Sequence, residues 1–265
     1  MTAPIHGNYK NYYSKRQNTV NGTDARIDAL GSDFCDKLRD KDILDVGCNE
    51  GKITIEIARK FSPKFILGVD LDPALIHRAT KELKVAWSTS KPIEGNEKGK
   101  RKRKDDTEVA QTGYFPLSMP SMFGFLPFPE SSTSFPCNIE FKKLDVMQGK
   151  LETNGYDVIL ALSITKWIHL NGGDDGLILF FKKLYEALKE GGELVLEAQP
   201  VKSYQNAVSD MHQLKPTFEK LTIDPSQFEA LLVNEIGFRE VRHCIEESQC
   251  TPSSMIIFMQ IGNYR

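Results

Sequence analysis

The sequence predicts an α/β fold, a Rossmann-like sheet of seven mostly parallel strands with helices on both faces. Three observations support this prediction. Short apolar runs alternate with stretches of helical periodicity, a glycine-rich turn follows the first apolar run, and residues that start or end helices separate the segments. Strands that alternate with helices pair in parallel, because each helix returns the chain to the edge where the next strand begins.

Size and composition favour one large domain. The chain has 265 residues, 40% of them hydrophobic, a formal net charge of −2 and a pI of about 6.2, so no overall field draws it to nucleic acid or membrane. The five cysteines form no CxxC pair, which argues against a disulfide framework or a zinc site. No stretch approaches 18 consecutive apolar residues. We therefore expect no metal, no membrane segment and a reducing intracellular compartment.

The first half of the domain carries two strand–helix units. DILDV (42–46) is an apolar run of strand length, and a glycine-rich turn leads from it into the helical pattern GKITIEIARKF (51–61). FILGVD (65–70) is the second such run. Its helix, DPALIHRATKEL (72–83), has Pro73 directly behind an aspartate cap, which is the usual order at a helix N-terminus.

The second half supplies the other strands and two helices. The helix DDGLILFFKKLYEALKE (174–190) precedes Gly191–Gly192, which we predict to end it. Asp224–Pro225 is expected to start another helix. We expect the seventh strand to pair antiparallel to the others. The predicted strands are FKKLDV (141–146), YDVILAL (156–162), ELVLEA (193–198), GFREVRHC (237–244) and SSMIIFMQI (253–261).

Residues 88–136 interrupt the alternation of strand and helix patterns, and their composition predicts a partly disordered insert. Its first half contains the basic run KGKRKRK (98–104). A solvated charge run, a nuclear import signal and a contact with an RNA backbone all remain open for that run. The second half, YFPLSMPSMFGFLPFPE (114–130), is apolar and without period. It either packs over the domain or docks a partner.

The turn in LDVGCNEG (44–51) is a candidate cofactor loop. Gly47 permits the tight turn and Gly51 lets the next helix pack close to the strand, but Asn49 replaces the middle glycine of a GxGxxG-like loop. A pyrophosphate needs bare backbone at that position, whereas the amino acid end of S-adenosylmethionine tolerates a side chain. Asn also adopts positive φ more readily than most residues. The loop therefore favours S-adenosylmethionine and a class I methyltransferase fold.

Acidic residues after the first three strands extend this candidate site. Asp70, at the end of the second strand, is spaced to accept both ribose hydroxyls and forms a D-x-G…D pair with Asp45. Asp145, in the third strand segment, falls where such domains often contact the adenine amine, although a solvent-facing aspartate fits equally well. An NAD site and a domain that binds no cofactor are the alternatives.

The stretch SITKWIHLN (163–171) places polar groups directly after the buried fourth strand. One interpretation is a helix start, with Ser163 or Thr165 as the N-cap and Trp167 and Ile168 packed in the core. The other is a functional site at the carboxyl end of a parallel strand. The sequence of this stretch alone does not decide between them.

If the stretch is a site, its residues favour an acceptor that is already an anion. A base-methylating enzyme would show an Asn/Asp-Pro-Pro-aromatic run, and a ribose-methylating enzyme would accompany its lysine with two carboxylates. Neither pattern is obvious here. Lys166 and His169 are donors, and Trp167 offers a stacking face or a wall. A terminal phosphate is largely dianionic at pH 7, so it needs alignment and exclusion of water rather than a base.

Four stretches resemble the methylphosphate capping enzymes of the bicoid-interacting-protein family: GNYKNYYSKR (7–16), LDVGCNEG (44–51), SITKWIHLNGGDDG (163–176) and LVLEAQPVKSY (194–204). Members of that family are class I methyltransferases that use S-adenosylmethionine to methylate the 5′ γ-phosphate of small RNAs made by RNA polymerase III. One branch methylates a 5′ monophosphate. The resemblance implies an RNA 5′-phosphate methyltransferase.

The resemblance also implies an N-terminal arm, residues 1–23, that covers cofactor and RNA end ahead of a single domain, residues 24–265. An arm that only packs, and a plain loop after the fifth strand, remain the alternatives for these segments. The predicted catalytic residues are Lys166, His169, Tyr9 and Tyr13. The predicted cofactor residues are Arg26, Asp45, Gly47, Asn49, Gly51, Asp70, Leu71, Asp145, Leu162 and Ser163. The predicted substrate residues are Tyr12, Lys15, Arg16, Trp167, Gln199 and Tyr204.

A second function remains possible on the sequence, namely an RNA-binding subunit that stabilises a small RNA–protein complex with little methyl transfer. The intact cofactor residues and Lys166 favour an enzyme. The basic run and the N-terminal tyrosines disfavour a small-molecule methyltransferase. The expected partners are the 5′ end of a small noncoding RNA and a La-related RNA-binding protein, and the expected location is the nucleus.

Overall fold

The computed structural model describes residues 24–91, 114–130, 132–243 and 255–262. The first elements in chain order are α1 (Ala25–Leu30), α2 (Ser32–Lys37), β1 (Asp42–Val46), α3 (Lys52–Phe61), β2 (Phe65–Asp70), α4 (Pro73–Ser88), α5 (Ser118–Phe123), β3 (Ile139–Lys143), β4 (Tyr156–Leu162) and α6 (Thr165–Ala187). Those that follow are β5 (Leu188–Ala198), α7 (Val201–Asp210), a 3₁₀ turn (His212–Leu214), α8 (Lys215–Phe218), a second 3₁₀ turn (Pro225–Gln227), α9 (Phe228–Leu231), a π turn (Leu232–Ile236), β6 (Glu240–His243) and β7 (Met255–Gln260).

The seven strands form one sheet in the order β3-β2-β1-β4-β5-β7-β6. The first five pair in parallel with their neighbours, and β7 runs antiparallel to both β5 and β6. The predicted seven-stranded, mostly parallel sheet with an antiparallel last strand is confirmed. Strand order reverses between β1 and β4, so the carboxyl ends of these two strands flank a crevice.

The central strands are buried on both faces. Side chains of successive strand residues point to opposite faces, so Leu44 of β1 packs in a cluster with Phe180 of α6, whereas its neighbour Ile43 packs in a second cluster with Ile57 of α3. All four side chains are fully buried. This explains why β1 reads as an apolar run rather than as an alternating pattern.

Both predicted aspartate caps are present. Asp72 accepts a hydrogen bond from the Ala74 amide (2.7 Å) ahead of α4, and Asp224 accepts one from the Ser226 amide (2.9 Å) at the second 3₁₀ turn. A carboxylate at this position satisfies an amide that lacks a partner within the helix.

The prediction that Gly191–Gly192 ends the long helix is wrong. α6 ends at Ala187 and β5 begins at the next residue, so both glycines lie inside the strand. The pairing of β5 with β4 is interrupted just before Glu193. A Cβ on Gly192 would lie 2.8 Å from the Lys189 carbonyl oxygen, so the chain is too crowded there for a side chain.

The third strand is displaced from its predicted span, residues 141–146. β3 ends at Lys143, and Asp145 lies in the following turn. Its Oδ1 accepts hydrogen bonds from the amides of Met147 (2.9 Å) and Gln148 (3.3 Å). Asp145 therefore shapes the turn after the strand rather than terminating the strand.

The apolar half of the predicted insert is built onto the far end of α4. The described residues resume at Tyr114. The amide of the next residue, Phe115, donates a hydrogen bond to the Thr89 carbonyl (3.2 Å). A short helix, α5, follows. The basic run 98–104 and the N-terminal segment 1–23 lie outside the described residues.

Candidate active site

A cavity of about 440 Å³ opens at the carboxyl ends of β1, β2 and β4. This is the point where the strand order reverses, the usual ligand site of an open α/β sheet. Nine of the ten predicted cofactor residues line it: Arg26, Asp45, Gly47, Asn49, Asp70, Leu71, Asp145, Leu162 and Ser163. The tenth, Gly51, lies at the start of α3, where a Cβ would come 2.5 Å from the Phe141 ring.

The loop after β1 adopts a conformation that its residues allow. Gly47 has φ of 76°, and a Cβ there would lie 2.9 Å from the Ile164 side chain. Asn49 has φ of 55°, in the left-handed region, and its Oδ1 accepts a hydrogen bond from the Glu50 amide (2.8 Å). Asparagine therefore occupies the middle loop position because it stabilises positive φ through its own side chain.

Asp70 is fixed at the cavity edge by two backbone amides. Its Oδ2 accepts from Asn49 N (3.0 Å) and its Oδ1 from Asp72 N (2.9 Å). Burial raises the pKa of this carboxyl, and the amide hydrogen bonds offset only part of the effect. Each carboxylate oxygen keeps acceptor capacity for a further donor, which suits a pair of ligand hydroxyls.

Asp45 and Arg26 are two further buried charged residues that line the cavity. Burial raises the pKa of Asp45 to about 6, although a hydrogen bond from Thr54 Oγ1 (2.7 Å) and the charge of Arg26 oppose the shift. Arg26 is held by Asp24, with Nε and Nη2 each 2.9 Å from its carboxylate oxygens. A ligand with a cationic centre would restore charge balance around Asp45.

The cavity residues fit S-adenosylmethionine. Carboxylates at Asp45 and Asp70 suit its cationic groups and its ribose hydroxyls, and the Arg26 guanidinium suits its carboxylate. The turn after β3 contributes an apolar wall, with Val146 and Met147, that suits an adenine ring.

Lys183 holds the turn after β3 in place. From α6, its Nζ donates to the carbonyls of Val146 (3.0 Å), Met147 (2.6 Å) and Gly149 (2.9 Å). Sequence analysis missed this residue, because nothing separates it from other lysines on a helix.

The residues that begin α6 do not cap it. Ile164 occupies the N-cap position, and no side chain accepts a hydrogen bond there, so the helix-cap interpretation of Ser163 and Thr165 is wrong. Ser163 has φ of 62° and donates from Oγ to the carboxylate of Glu197 on β5. Glu197, which lies 3.9 Å from Arg26, is a buried acid that sequence analysis did not assign.

Lys166 lies behind the cavity wall. Its side chain is 3% exposed, and Nζ donates to Ser203 Oγ (2.9 Å) on α7 and sits 4.5 Å from the centre of the Trp167 ring. Trp167 itself lines the cavity. Gln199, at the end of β5, is 6% exposed, and its Oε1 has no hydrogen-bond partner within the described chain.

The structure does not bring His169 to the cavity. The ring is fully buried, with Nε2 2.8 Å from Asp174 Oδ1 and Nδ1 3.4 Å from the Tyr204 hydroxyl. Burial raises the pKa of Asp174, but hydrogen bonds, first from Thr222 and then from His169, outweigh it and lower the value to about 2. His169 and Tyr204 therefore join α6 to α7 and to the segment around Thr222.

The predicted residues of the N-terminal arm, namely Tyr9, Tyr12, Tyr13, Lys15 and Arg16, lie outside the described residues. The described chain begins at Asp24, whose amide donates to Glu56 Oε2 (3.3 Å), and two residues later Arg26 lines the cavity. The cavity also includes Asn171 and Gly172, which sequence analysis did not assign.

No group of three or more His, Cys, Asp or Glu side chains in the described part of the chain could hold a metal ion. No described helix is both long and apolar enough to cross a membrane.

Two family models match the chain. The Bicoid-interacting protein 3 (Bin3) model matches residues 156–258, and a general methyltransferase-domain model matches residues 43–95. The two matches cover the turn after β4 and the loop after β1, respectively.

Several curated proteins are similar over most of the chain. A protein of Arabidopsis thaliana named "Probable RNA methyltransferase" is 36% identical, with 89% of this chain and 73% of that protein covered. The U6 snRNA methylphosphate capping enzyme Amus of Drosophila melanogaster is 33% identical (89% and 67% covered). The 7SK snRNA methylphosphate capping enzyme of Homo sapiens is 32% identical (88% and 35% covered), so this chain spans about a third of that protein.

Solved structures agree on the fold. The methyltransferase domain of bacterial CtHen1-C superposes with a TM-score of 0.53 at 14% identity, covering 90% of this chain and 97% of that one. At this identity the likeness concerns the architecture alone.

Proposed function

The chain belongs to the Bicoid-interacting protein 3 family and is an S-adenosylmethionine-dependent methyltransferase, and we propose that it methylates the 5′ terminal γ-phosphate of a small noncoding RNA. The observation that carries the proposal is the buried cation behind the cavity wall. Lys166, paired with Ser203 and next to Trp167, offers a positive charge in a place from which most water is excluded.

When bound, S-adenosylmethionine supplies an electrophilic methyl group on its sulfonium centre. We assign Asp70 to its ribose hydroxyls and Arg26 to its carboxylate. Asp45 balances its positive charge, and Lys183 keeps the apolar wall beside the adenine in position. These assignments rest on the chemistry of the side chains around the cavity.

The phosphate acceptor has to be oriented, but it does not have to lose a proton. A phosphate dianion already carries the attacking lone pair, so no side chain has to remove a proton. Lys166, behind Trp167, supplies the positive charge that attracts the phosphate to this side of the cavity, while Trp167 keeps water from the reacting atoms. Gln199, directly after β5, has a buried side-chain oxygen without a partner in the described chain, and we assign it to the substrate side of the site. One cation holds the phosphate without suppressing its nucleophilicity.

His169 and Tyr204 act as positioning residues in this proposal, because neither reaches the cavity. They fix the first turns of α6 against α7, the two helices that carry Lys166 and Ser203. Tyr9, Tyr12, Tyr13, Lys15 and Arg16 belong to an arm over the bound cofactor and RNA end. The entry of the chain beside the cavity at Asp24 and Arg26 supports that placement.

The γ-phosphate is preferred to a monophosphate because the relatives named as methylphosphate capping enzymes are 32% and 33% identical, whereas an RNA 5′-monophosphate methyltransferase of Mus musculus is 26% identical. We also propose the nucleus as the location and a La-related RNA-binding protein as a partner in the same complex. The resemblance of the sequence to the family supports both, and the basic run 98–104 suits nuclear import.

Labelling of total RNA from the source cell tests the proposal. The protein is incubated with tritiated S-adenosylmethionine, and the labelled RNAs are isolated and mapped at their 5′ ends. We expect the label on the terminal phosphate of small noncoding RNAs that began as triphosphates. RNA that is retained by the protein but carries no label would favour the alternative of an RNA-binding subunit.

A further inference from the structure

Glu197 is a buried acid whose carboxylate lies next to two residues of the cavity wall. It belongs to β5, is 1% exposed and does not itself line the cavity. Its Oε2 accepts a hydrogen bond from Ser163 Oγ and lies 3.9 Å from Arg26 Nη1. Arg26 and Ser163 both line the cavity. One oxygen behind the wall therefore connects the start of α1 to the turn after β4.

Two carboxylates hold the Arg26 guanidinium from different sides. Asp24 accepts hydrogen bonds from Nε and Nη2 (2.9 Å each), and Glu197 faces the third nitrogen, Nη1. A separation of 3.9 Å is too long for a hydrogen bond, so Glu197 acts on Arg26 through its charge. Water screens this charge little, because both side chains are almost wholly buried. The guanidinium therefore has little freedom to turn away from the cavity.

The hydrogen bond to Glu197 also fixes the backbone turn after β4. Ser163 has φ of 62°, a left-handed conformation that costs free energy for a residue other than glycine. The bond from its Oγ to Glu197 offsets part of that cost. The next residue, Ile164, packs against the cofactor loop so closely that a Cβ on Gly47 would lie 2.9 Å from its side chain. Glu197 thus supports this side of the cavity as well as Arg26.

We propose that Glu197 is a positioning residue, which holds Arg26 and Ser163 in the arrangement that recognises the amino acid end of S-adenosylmethionine. Arg26 is a buried cation in the cavity wall, and the cofactor carboxylate is the anionic group that it suits. A side chain that is oriented in advance loses less entropy on binding. The inference rests on the assignment of Arg26 in the proposed function, but it does not depend on which acceptor receives the methyl group.

A purely structural role for Glu197 is the alternative, because β5 pairs with β4 on one side and with β7 on the other. The two roles differ in the ligands that they affect. A disturbed sheet would change the whole cavity and weaken any ligand that fills it. A misplaced Arg26 would weaken only ligands that carry the carboxylate. S-adenosylhomocysteine has this group, whereas 5′-methylthioadenosine keeps the adenosine and the sulfur but lacks the amino acid end.

Calorimetry of the full chain with these two ligands, without RNA, tests the inference. Glu197→Gln keeps the size of the side chain and an acceptor for Ser163 but removes the charge. We expect affinity for S-adenosylhomocysteine to fall roughly tenfold and affinity for 5′-methylthioadenosine to stay at the wild-type value. Glu193→Gln is the control, because it removes another acid of β5, one that pairs with Arg242, and it should leave both affinities unchanged.

Two further variants show whether Glu197 acts through its neighbours. In an Arg26→Gln background, Glu197→Gln should have little further effect on S-adenosylhomocysteine, since residues that act as a unit are not additive. Ser163→Ala removes the hydrogen bond and keeps the charge of Glu197, so it serves if thermal unfolding shows that Glu197→Gln does not fold. It should weaken S-adenosylhomocysteine roughly threefold or more and leave 5′-methylthioadenosine unaffected.

Several results would overturn the inference. Wild-type affinity of Glu197→Gln for S-adenosylhomocysteine is one, and tighter binding, which would mean that Glu197 only repels the carboxylate, is another. An equal loss for both ligands would show a structural role. A loss in Arg26→Gln without one in Glu197→Gln would remove the inference and leave the assignment of Arg26 standing. Wild-type binding by Arg26→Gln would remove both.

Discussion

Lys166 and Asp45 are the buried charged residues on which the interpretation of the site depends most. Lys166 is held by Ser203 Oγ and the Trp167 ring, and Asp45 by Thr54 and the nearby Arg26. A buried charge costs free energy unless its surroundings or a ligand compensate it. The following predictions concern Lys166, the neighbouring cofactor residue Asp70, and the pH dependence that the burial of Asp45 causes.

Lys166→Ala should lower the rate of methyl transfer by about 100-fold or more, because it removes a preorganised donor from a site that excludes water. Affinity for S-adenosylhomocysteine should stay unchanged, since Lys166 does not line the cavity. Initial rates with a 5′-triphosphate RNA, together with calorimetry, measure both. Lys202→Ala is the matched control, an exposed lysine on the same helix as Ser203. Equal rates for the two variants would contradict the assignment.

Asp70→Ala should weaken the binding of S-adenosylhomocysteine by about 2 kcal/mol, the size of a charge-assisted hydrogen bond that is lost. Calorimetry measures the change. Glu82→Ala, which alters an exposed acid on α4, should leave the affinity as it is. Equal binding by Asp70→Ala and the wild type would show that Asp70 does not hold the ribose.

Asp45 should make the folded state less stable as the pH rises from about 4 to about 6. Burial raises the pKa of this group from 3.8 to about 6 in the folded state, so the folded protein retains a proton that the unfolded chain has lost. The free energy of unfolding then falls through that window, by about 3 kcal/mol for a shift of this size.

Asp45→Asn removes the titrating group and should flatten this decline. Denaturant unfolding at pH 4, 5, 6 and 7, without cofactor, gives the measurement. Asp33→Asn, at an exposed aspartate, is the control and should keep the wild-type slope. If Asp45→Asn and the wild type showed the same pH dependence, the carboxyl would not be the source of the effect.

At the scale of elements, local patterns predicted most strands and helices, and tertiary contacts decided their ends. The alternation of apolar runs with helical periodicity and the Asp-Pro caps are local signals, and both were correct. Gly191–Gly192 looked like the end of a helix, because glycine at a helix end and glycine in an interrupted strand give the same local sequence. Only the pairing of β5 with β4 separates the two.

The same distinction between local signals and tertiary contacts holds for the residues of the site. The residues of the loop after β1 belong to one short segment, so their spacing predicted a cavity that they do line. His169 was misplaced as a direct donor, because its partners Asp174 and Tyr204 come from a later turn and another helix. Lys183 was missed for a similar reason, since its three acceptors lie 34 to 37 residues away.

Lys183→Met should loosen the turn after β3. The substitution keeps the length of the side chain but leaves three carbonyls without their donor, so we expect affinity for S-adenosylhomocysteine to fall roughly tenfold. Amide exchange at residues 145–149 should accelerate as well. Lys182→Met, at the exposed neighbour on α6, is the control. Unaltered exchange and affinity in Lys183→Met would mean that the turn holds its shape without the lysine.

At the scale of the whole molecule, the sheet places two surfaces at opposite ends of α4. The cavity lies at the carboxyl ends of the strands, and the exposed apolar side chains of residues 114–128 lie at the far end of the helix. The sequence of residues 114–130 allowed either packing over the domain or partner docking. The structure shows its backbone anchored on the domain and its side chains exposed, a combination that no local pattern could predict because it depends on contacts with α4.

The acceptor is the central claim about the molecule, and phosphatase treatment tests it most directly. One sample of a 5′-triphosphate RNA is treated with phosphatase, an equal sample is left untreated, and both are incubated with the protein and tritiated S-adenosylmethionine. We expect label in the untreated RNA and none in the treated RNA, because phosphatase removes the anionic phosphate that the positive charge of Lys166 is proposed to attract. Equal labelling of both samples would contradict the account and would identify a base or a ribose hydroxyl as the acceptor.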